Sequence, residues 1–218
     1  MPDKFFIDRS DPYLSRIAED VRASGLLFRI HQKKALHLQR HGEVVPEQIV
    51  SVFAPDKNGK TQLYPMIWGF FPESPKKPVH SVRLESLIQK SEYWTDLQRH
   101  RCILPASYFL KRKQLVGNNG SVSLGKEYVV QPNGISRIYA CGIYRIEDGL
   151  PYCVMITAVA RQDYRSDMAD RIPILLPEEQ LADWLNPEIS NPRMIMTDRY
   201  NEFIYEEYTP SNDPPEFW

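Results

Sequence analysis

Downstream of Asp11 the apolar positions Leu14, Ile17, Ala18 and Val21 recur at the three- and four-residue spacing that lines one face of a helix. Asp11 is a residue type that caps a helix start, Pro12 suits the first helical position, and Gly25 supplies a stop. The pattern predicts a helical N-terminal segment within residues 1–25. Beyond Gly25 the period changes. Residues 26–31 read as extended, followed by a polar stretch up to Gly42. Residues 48–54 form an apolar run bounded by the turn cluster Pro55-Asp56-Lys57-Asn58-Gly59, with a partner strand predicted over 61–70. Prolines and lysines make 72–78 a loop. A short helix is predicted over 83–90 and a strand over 101–109. A small-residue loop over 117–125 leads into a strand over 128–131. Residues 138–146 and 152–160 flank Glu147-Asp148-Gly149-Leu150-Pro151, a hairpin signal. Pro177 precedes a short helix over 178–185.

Extended segments outnumber helices, and no strand–helix–strand rhythm repeats. That arrangement predicts an α+β fold with a curled, largely antiparallel sheet and peripheral helices. No internal repeat or linker divides the chain, so residues 1–218 are expected to form a single domain. The acidic, aromatic tail over 205–218 is expected to be peripheral or partly disordered.

Composition narrows the function classes. The 218 residues are 42% hydrophobic and 25% charged, as in soluble globular domains. No apolar stretch approaches the roughly 18 residues of a membrane span, and the charged N-terminal region does not read as a signal peptide. A cytoplasmic protein with no membrane partner is the expectation. Cys102, Cys141 and Cys153 lie in apolar, strand-like runs and read as buried core thiols rather than a disulfide framework. His31, His37 and His41 recur without a carboxylate or cysteine at ligand spacing, so no metal site and no cofactor are expected. The net charge is −1, so any nucleic-acid contact must come from a local basic patch. Lys76-Lys77 and Lys111-Arg112-Lys113 are the candidates, each also readable as a solvated edge.

Four separated blocks carry more information. They are Trp68-Gly69-Phe70-Phe71-Pro72, Ser81-Val82-Arg83-Leu84-Glu85, Arg101-Cys102-Ile103-Leu104-Pro105-Ala106, and Ala169-Asp170-Arg171-Ile172-Pro173-Ile174-Leu175-Leu176-Pro177, with Trp184-Leu185 beyond. In order and spacing, from about Tyr64 to Leu185, they resemble the SOS response-associated peptidase (SRAP) family, proteins that process abasic sites in damaged single-stranded DNA. The resemblance implies a barrel-like SRAP fold, a role in the DNA damage (SOS) response, and single-stranded DNA, with or without abasic sites, as the partner. It also implies that Arg83 and Arg171 contact phosphate or build the site, that Trp68 packs beside a displaced nucleotide, and that Lys111 lies at the DNA. Arginine suits phosphate because its planar fork engages two oxygens, and an aromatic face can stack on any base. Each of these residues also has a structural reading: Trp68 as a core aromatic, Arg171 as one half of an ion pair with Asp170, and Glu85 as a salt-bridged helix carboxylate.

In that family a cysteine follows the initiator Met, and its amine and thiol close a ring on the abasic aldehyde to crosslink protein and DNA. A glutamate and a histidine move protons, and an asparagine positions the nucleophile. Here Pro2 stands at the cysteine position, Ser81 at the asparagine, Lys111 at the glutamate and Ala169 at the histidine. The family's thiol crosslinking and self-processing peptidase activity are therefore expected to be lost, leaving no catalytic residue assigned with certainty. Three functions stay open. The chain binds single-stranded or abasic DNA as a pseudoenzyme, or it crosslinks abasic sites through an amine, Lys111 or Pro2. Alternatively, it serves as a non-catalytic scaffold for a protein partner.

Overall fold

The computed structural model describes residues 4–70, 78–89, 96, 99–116, 121–159, 171–189, 200 and 203–210. Lys76-Lys77, Pro2, Ala169 and the tail from 211 onward lie outside them, as do residues 72–77 of the loop predicted over 72–78 and residues 117–120 of the loop predicted over 117–125. Residues 122–125 are not loop but the start of a strand that pairs with residues 114–116.

Five strands close into a barrel. They are β3 (Ile49–Pro55), β4 (Thr61–Trp68), β6 (Arg101–Ala106), β9 (Ile138–Glu147) and β10 (Leu150–Val159). Neighbours run in the order β10-β4-β3-β6-β9, and a β9–β10 pairing joins the two ends. Only β10–β4 is parallel within this ring. The turn that closes β9 onto β10 holds Asp148 and Gly149 at φ 52° and 73°, the left-handed pair that a two-residue hairpin demands. Two short strands, β5 (Ser81–Arg83) and β11 (Arg171–Pro173), extend β10 beyond the ring. A second, antiparallel sheet is ordered β12-β8-β7-β1-β2, from β1 (Lys4–Ile7), β2 (Gly42–Val44), β7 (Tyr108–Val116), β8 (Val122–Pro132) and β12 (Phe203–Glu207).

Barrel strands are buried on both faces, which is why they read as continuous apolar runs rather than as alternation. Ile49, Ile67, Ile103, Cys141, Val154 and Ile156 pack in one core. Val50, Val52, Met66, Trp68, Cys102, Leu104, Cys153 and Met155 pack in another. The first core takes in α2 (Gly25–Lys34) through Leu27 and Ile30, and α4 (Leu181–Leu185) through Trp184. The second takes in α1 (Pro12–Arg22) through Leu14 and Ile17, and the second sheet through Phe5, Phe109 and Val130.

Asp11 caps α1 as predicted, accepting from the Tyr13 and Leu14 amides at 2.8 and 3.1 Å, with Pro12 in the first turn. Gly25 does not end the helical segment. It opens α2, capped by Ser24, so residues 26–31 are helical rather than extended. Leu27 and Ile30, three apart, bury one side of that helix while Phe28 remains exposed. The N-terminal segment also begins with a strand, β1, and is not wholly helical. The strand predicted over 101–109 breaks at Ser107, whose amide donates to the Phe6 carbonyl at 2.8 Å and whose hydroxyl accepts from the Asp8 amide. That break lets β6 stay in the barrel while β7 joins the other sheet. Tyr205 to Glu207, expected in a peripheral tail, form β12 paired with β8. The helix near residue 83 is α3 (Leu84–Ile88), and Glu178–Gln180 form a 3₁₀ turn leading into α4. No helix among the described residues is long and apolar enough to cross a membrane.

Candidate nucleic-acid interface

The outer end of β10 is the meeting point. β5 runs parallel to it on one side, placing Ser81 against Met155 and Arg83 against Thr157. β11 runs antiparallel on the other, placing Arg171 against Val159 and Pro173 against Thr157. Thr157 is fully buried between them, and its hydroxyl donates to the Val82 carbonyl at 3.2 Å. The same hydroxyl accepts from Arg171 Nε at 3.3 Å, while Arg171 Nη2 donates to the Thr157 carbonyl at 2.7 Å. That nitrogen also meets Glu85 Oε2 at 2.6 Å, on the first turn of α3. One arginine therefore ties the second block to the fourth across β10.

Glu85 has two opposing influences on its carboxyl. Burial pushes it up. The Arg171 hydrogen bond, the amides of Glu85 and Val159, and the Arg171 charge outweigh burial and hold the carboxyl below its ordinary value. The expected partner of Arg171 was Asp170, which lies outside the described residues; Glu85 fills that role, as the salt-bridged reading of Glu85 had it. Arg83, the residue before α3, is exposed and makes no ion pair among the described residues. Arg83 on β5 and Arg171 on β11 thus lie on either side of Thr157, with Glu85 bonded to Arg171. Ser81 is a buried polar residue at the start of β5.

Trp68 takes no part in a stacking surface. It is 0% exposed, its ring 4.9 Å from that of Phe5, and its Nε1 donates to the His80 carbonyl at 2.9 Å. The core reading of Trp68 is the one the structure holds, because β4 carries the residue into the space between barrel and second sheet. It nonetheless positions the site, since the backbone it anchors, His80, leads directly into Ser81 and β5.

Lys111 is not on a solvated edge. In β7 it pairs with Tyr128, and two residues earlier Phe109 pairs with Val130 and with Phe5. Side chains two apart share a sheet face, so Lys111 lies on the inner face with Phe5, Phe109 and Val130, and it is 5% exposed. Its neighbour Arg112 points outward and reaches Glu127 at 3.6 Å. The basic run is thus split between two faces.

The Arg-Cys block is architecture. Arg101 is buried, its Nε donating to the Trp184 carbonyl at 2.6 Å and its Nη2 to that of Asn186. Trp184 Nε1 returns a bond to the Cys102 carbonyl at 2.8 Å. All three cysteines are free and buried, and burial pushes each thiol up. Among the described residues no group of three or more His, Cys, Asp and Glu side chains could hold a metal ion. Thr157 was absent from the sequence-based candidates, although a hydroxyl within the apolar run of β10 was a usable signal.

Comparison with known proteins agrees with this architecture. The abasic site processing protein YobE of Bacillus subtilis (strain 168) is 25% identical over 163 residues, covering 71% of this chain and 72% of that protein. The abasic site processing protein YoqW of the same bacterium is 24% identical over 191 residues, covering 79% and 83%. Among solved structures, a phage-related protein from Bordetella bronchiseptica superposes with a TM-score of 0.62 at 14% identity, covering 87% of this chain and 92% of that one. A protein from Bacteroides thetaiotaomicron gives 0.61 at 16% identity, covering 94% and 92%. The two structures share the fold. The sequence pattern of one family, SOS response associated peptidase, matches residues 13–208, which takes in every element from α1 to β12. With that match spanning nearly the whole chain, this protein belongs to the SRAP family.

Proposed function

We propose that this protein binds single-stranded DNA at abasic sites, as part of the response to DNA damage, without the thiol crosslink of its family. The observation that carries the binding half is the cationic cluster at the end of β10, where Arg171 joins β11 to Glu85 and leaves exposed Arg83 beside it. Family membership and relatives named as abasic site processing proteins support the choice of ligand. The thiol-free half rests on the cysteines. The chain has three, each buried in a barrel strand with its thiol held protonated, and residue 2 is proline. A ring built from an α-amine and a neighbouring thiol has no thiol to use.

Fluorescence anisotropy tests this reading with three oligonucleotides: single-stranded with an abasic site, intact single-stranded, and duplex. Phosphate contacts predict affinity for the single strands that falls as salt rises, and weaker binding for Arg83→Ala. Iodoacetamide pretreatment should leave binding unchanged. Failure to bind any of the three at low salt would sink the proposal and leave the scaffold reading in its place.

A further inference from the structure

We infer that the cavity between the end of α2 and the β4–β10 pair is a nucleotide-binding site, with Lys34 placed for the phosphate and Glu47 for a guanine base. None of its residues belongs to the candidate interface, so the site stands whether or not DNA binds at the arginines of β5 and β11.

Residues 21–42 hold Arg22, Arg29, Lys33, Lys34 and Arg40 and not one acidic side chain. They bring five positive charges to a chain whose net charge is −1, which leaves −6 on the rest. Arg22 and Arg40 are both taken by Glu19. Arg29, Lys33 and Lys34 are exposed and form no ion pair among the described residues; Lys33 reaches the Asp148 carbonyl at 2.8 Å. Arg29 and Lys33, four apart, share one flank of α2, and Lys34 ends it. The dipole of α2 accounts for cations in its last turn. It does not account for what Lys34 faces.

Lys34 lines a cavity of about 220 Å³ together with Leu36, Glu47, Ile67 and Tyr152. Ile67 and Tyr152 are paired residues of β4 and β10, both buried, and form an apolar floor. A few polar groups over such a floor are the usual make-up of a small-molecule site. Glu47 is the third residue of the turn Val45-Pro46-Glu47-Gln48, closed by the Gln48 amide donating to the Val45 carbonyl at 3.4 Å. Its φ is 72°, a conformation that favours glycine or asparagine at this position. A glutamate there stores strain, and its amide is fixed on the Trp68 carbonyl at 2.8 Å. Among the described residues Glu47 and Lys34 form no ion pair, with each other or with a third side chain.

Three parts define the ligand. Cations spread along α2 without carboxylate partners suit an anion with more than one charge, as a phosphomonoester has. Aliphatic side chains and one aromatic take the face of a flat ring. An ionised carboxylate only accepts hydrogen bonds, so the ring must carry N–H donors. Guanine sets N1–H and N2–H side by side and can meet both oxygens of Glu47.

Isothermal titration of the full chain with dGMP, dTMP, deoxyguanosine and inorganic phosphate tests the assignment. dGMP is expected to bind most tightly and to weaken as salt rises. dTMP, with a single ring N–H, should bind at least about tenfold more weakly. Lys34→Gln should weaken dGMP and flatten its salt dependence. Glu47→Gly should weaken dGMP about tenfold or more while melting no lower than the native chain, because glycine accepts the left-handed φ. Lost binding in a chain at least as stable is not misfolding. No dGMP binding at low salt, equal binding of dTMP, or undiminished binding by Glu47→Gly overturns the assignment. Oligothymidylate with and without one dG then identifies the source of the nucleotide. A gain from the dG that Glu47→Gly abolishes supports a base on a DNA strand, and dGMP binding without that gain supports a free nucleotide.

Discussion

Arg171 and Glu85 show what one residue pair contributes. The carboxylate is about half exposed, so its pairing with Arg171 is worth only about 0.5 kcal/mol. Its sign with pH is nonetheless fixed. Because the folded carboxyl lies below its ordinary value, the contribution is fully present above that value and is lost as pH falls through the folded one. Thermal melts of the native chain and Glu85→Gln should therefore differ at neutral pH and converge in acid. A gap that widens in acid would mean that Glu85 is not held down by Arg171. This pair was only partly legible in the chain. Arg83, Glu85 and Arg171 could be singled out from their blocks, but the pairing could not, because it passes through a buried threonine 14 residues from Arg171. Lys111 was harder still. Three consecutive basic residues look alike in a sequence, and only the register with Tyr128 separates the inward cation from its outward neighbour.

Elements that announce themselves locally were the ones sequence could find. The Asp11 cap and the Asp148-Gly149 turn are decided by the residues within them, and both form where expected. Residues 26–31 were misread because a compact apolar run fits a buried strand or a helix equally, and the deciding signal was the Ser24 cap just before it. β1 was missed because four residues carry too little pattern, and its pairing partners lie 35 or more residues away. Barrel closure places its own demand on an element interior. A Cβ at Gly142 in β9 would lie 2.7 Å from Leu104 Cδ1, 2.8 Å from the Val154 carbonyl oxygen and 3.0 Å from Cys102 Sγ. A backbone oxygen cannot swing away as a side chain can. Gly142→Ala should cost about 2–3 kcal/mol in urea unfolding, the upper range for overpacking, and a neutral result would mean that β9 and β10 separate freely at that point.

At the scale of the whole molecule, the cysteines test both the packing and the chemistry. All three belong to barrel strands and have no access to solvent. A thiol reagent should find none of them in the native protein and three in denaturant. A thiol that reacts rapidly in the native state would remove the basis for a thiol-free mechanism. The sharing of the barrel wall has a wider consequence. Along β10, Val154 and Ile156 belong to one core while Cys153 and Met155 belong to the other, and Thr157, near the strand's end at Val159, is hydrogen-bonded to Arg171. Neither core owns its strands, so neither can loosen alone. A defect introduced on the helix side or the sheet side travels to the same strand end, and the cationic cluster there registers damage done anywhere along the wall.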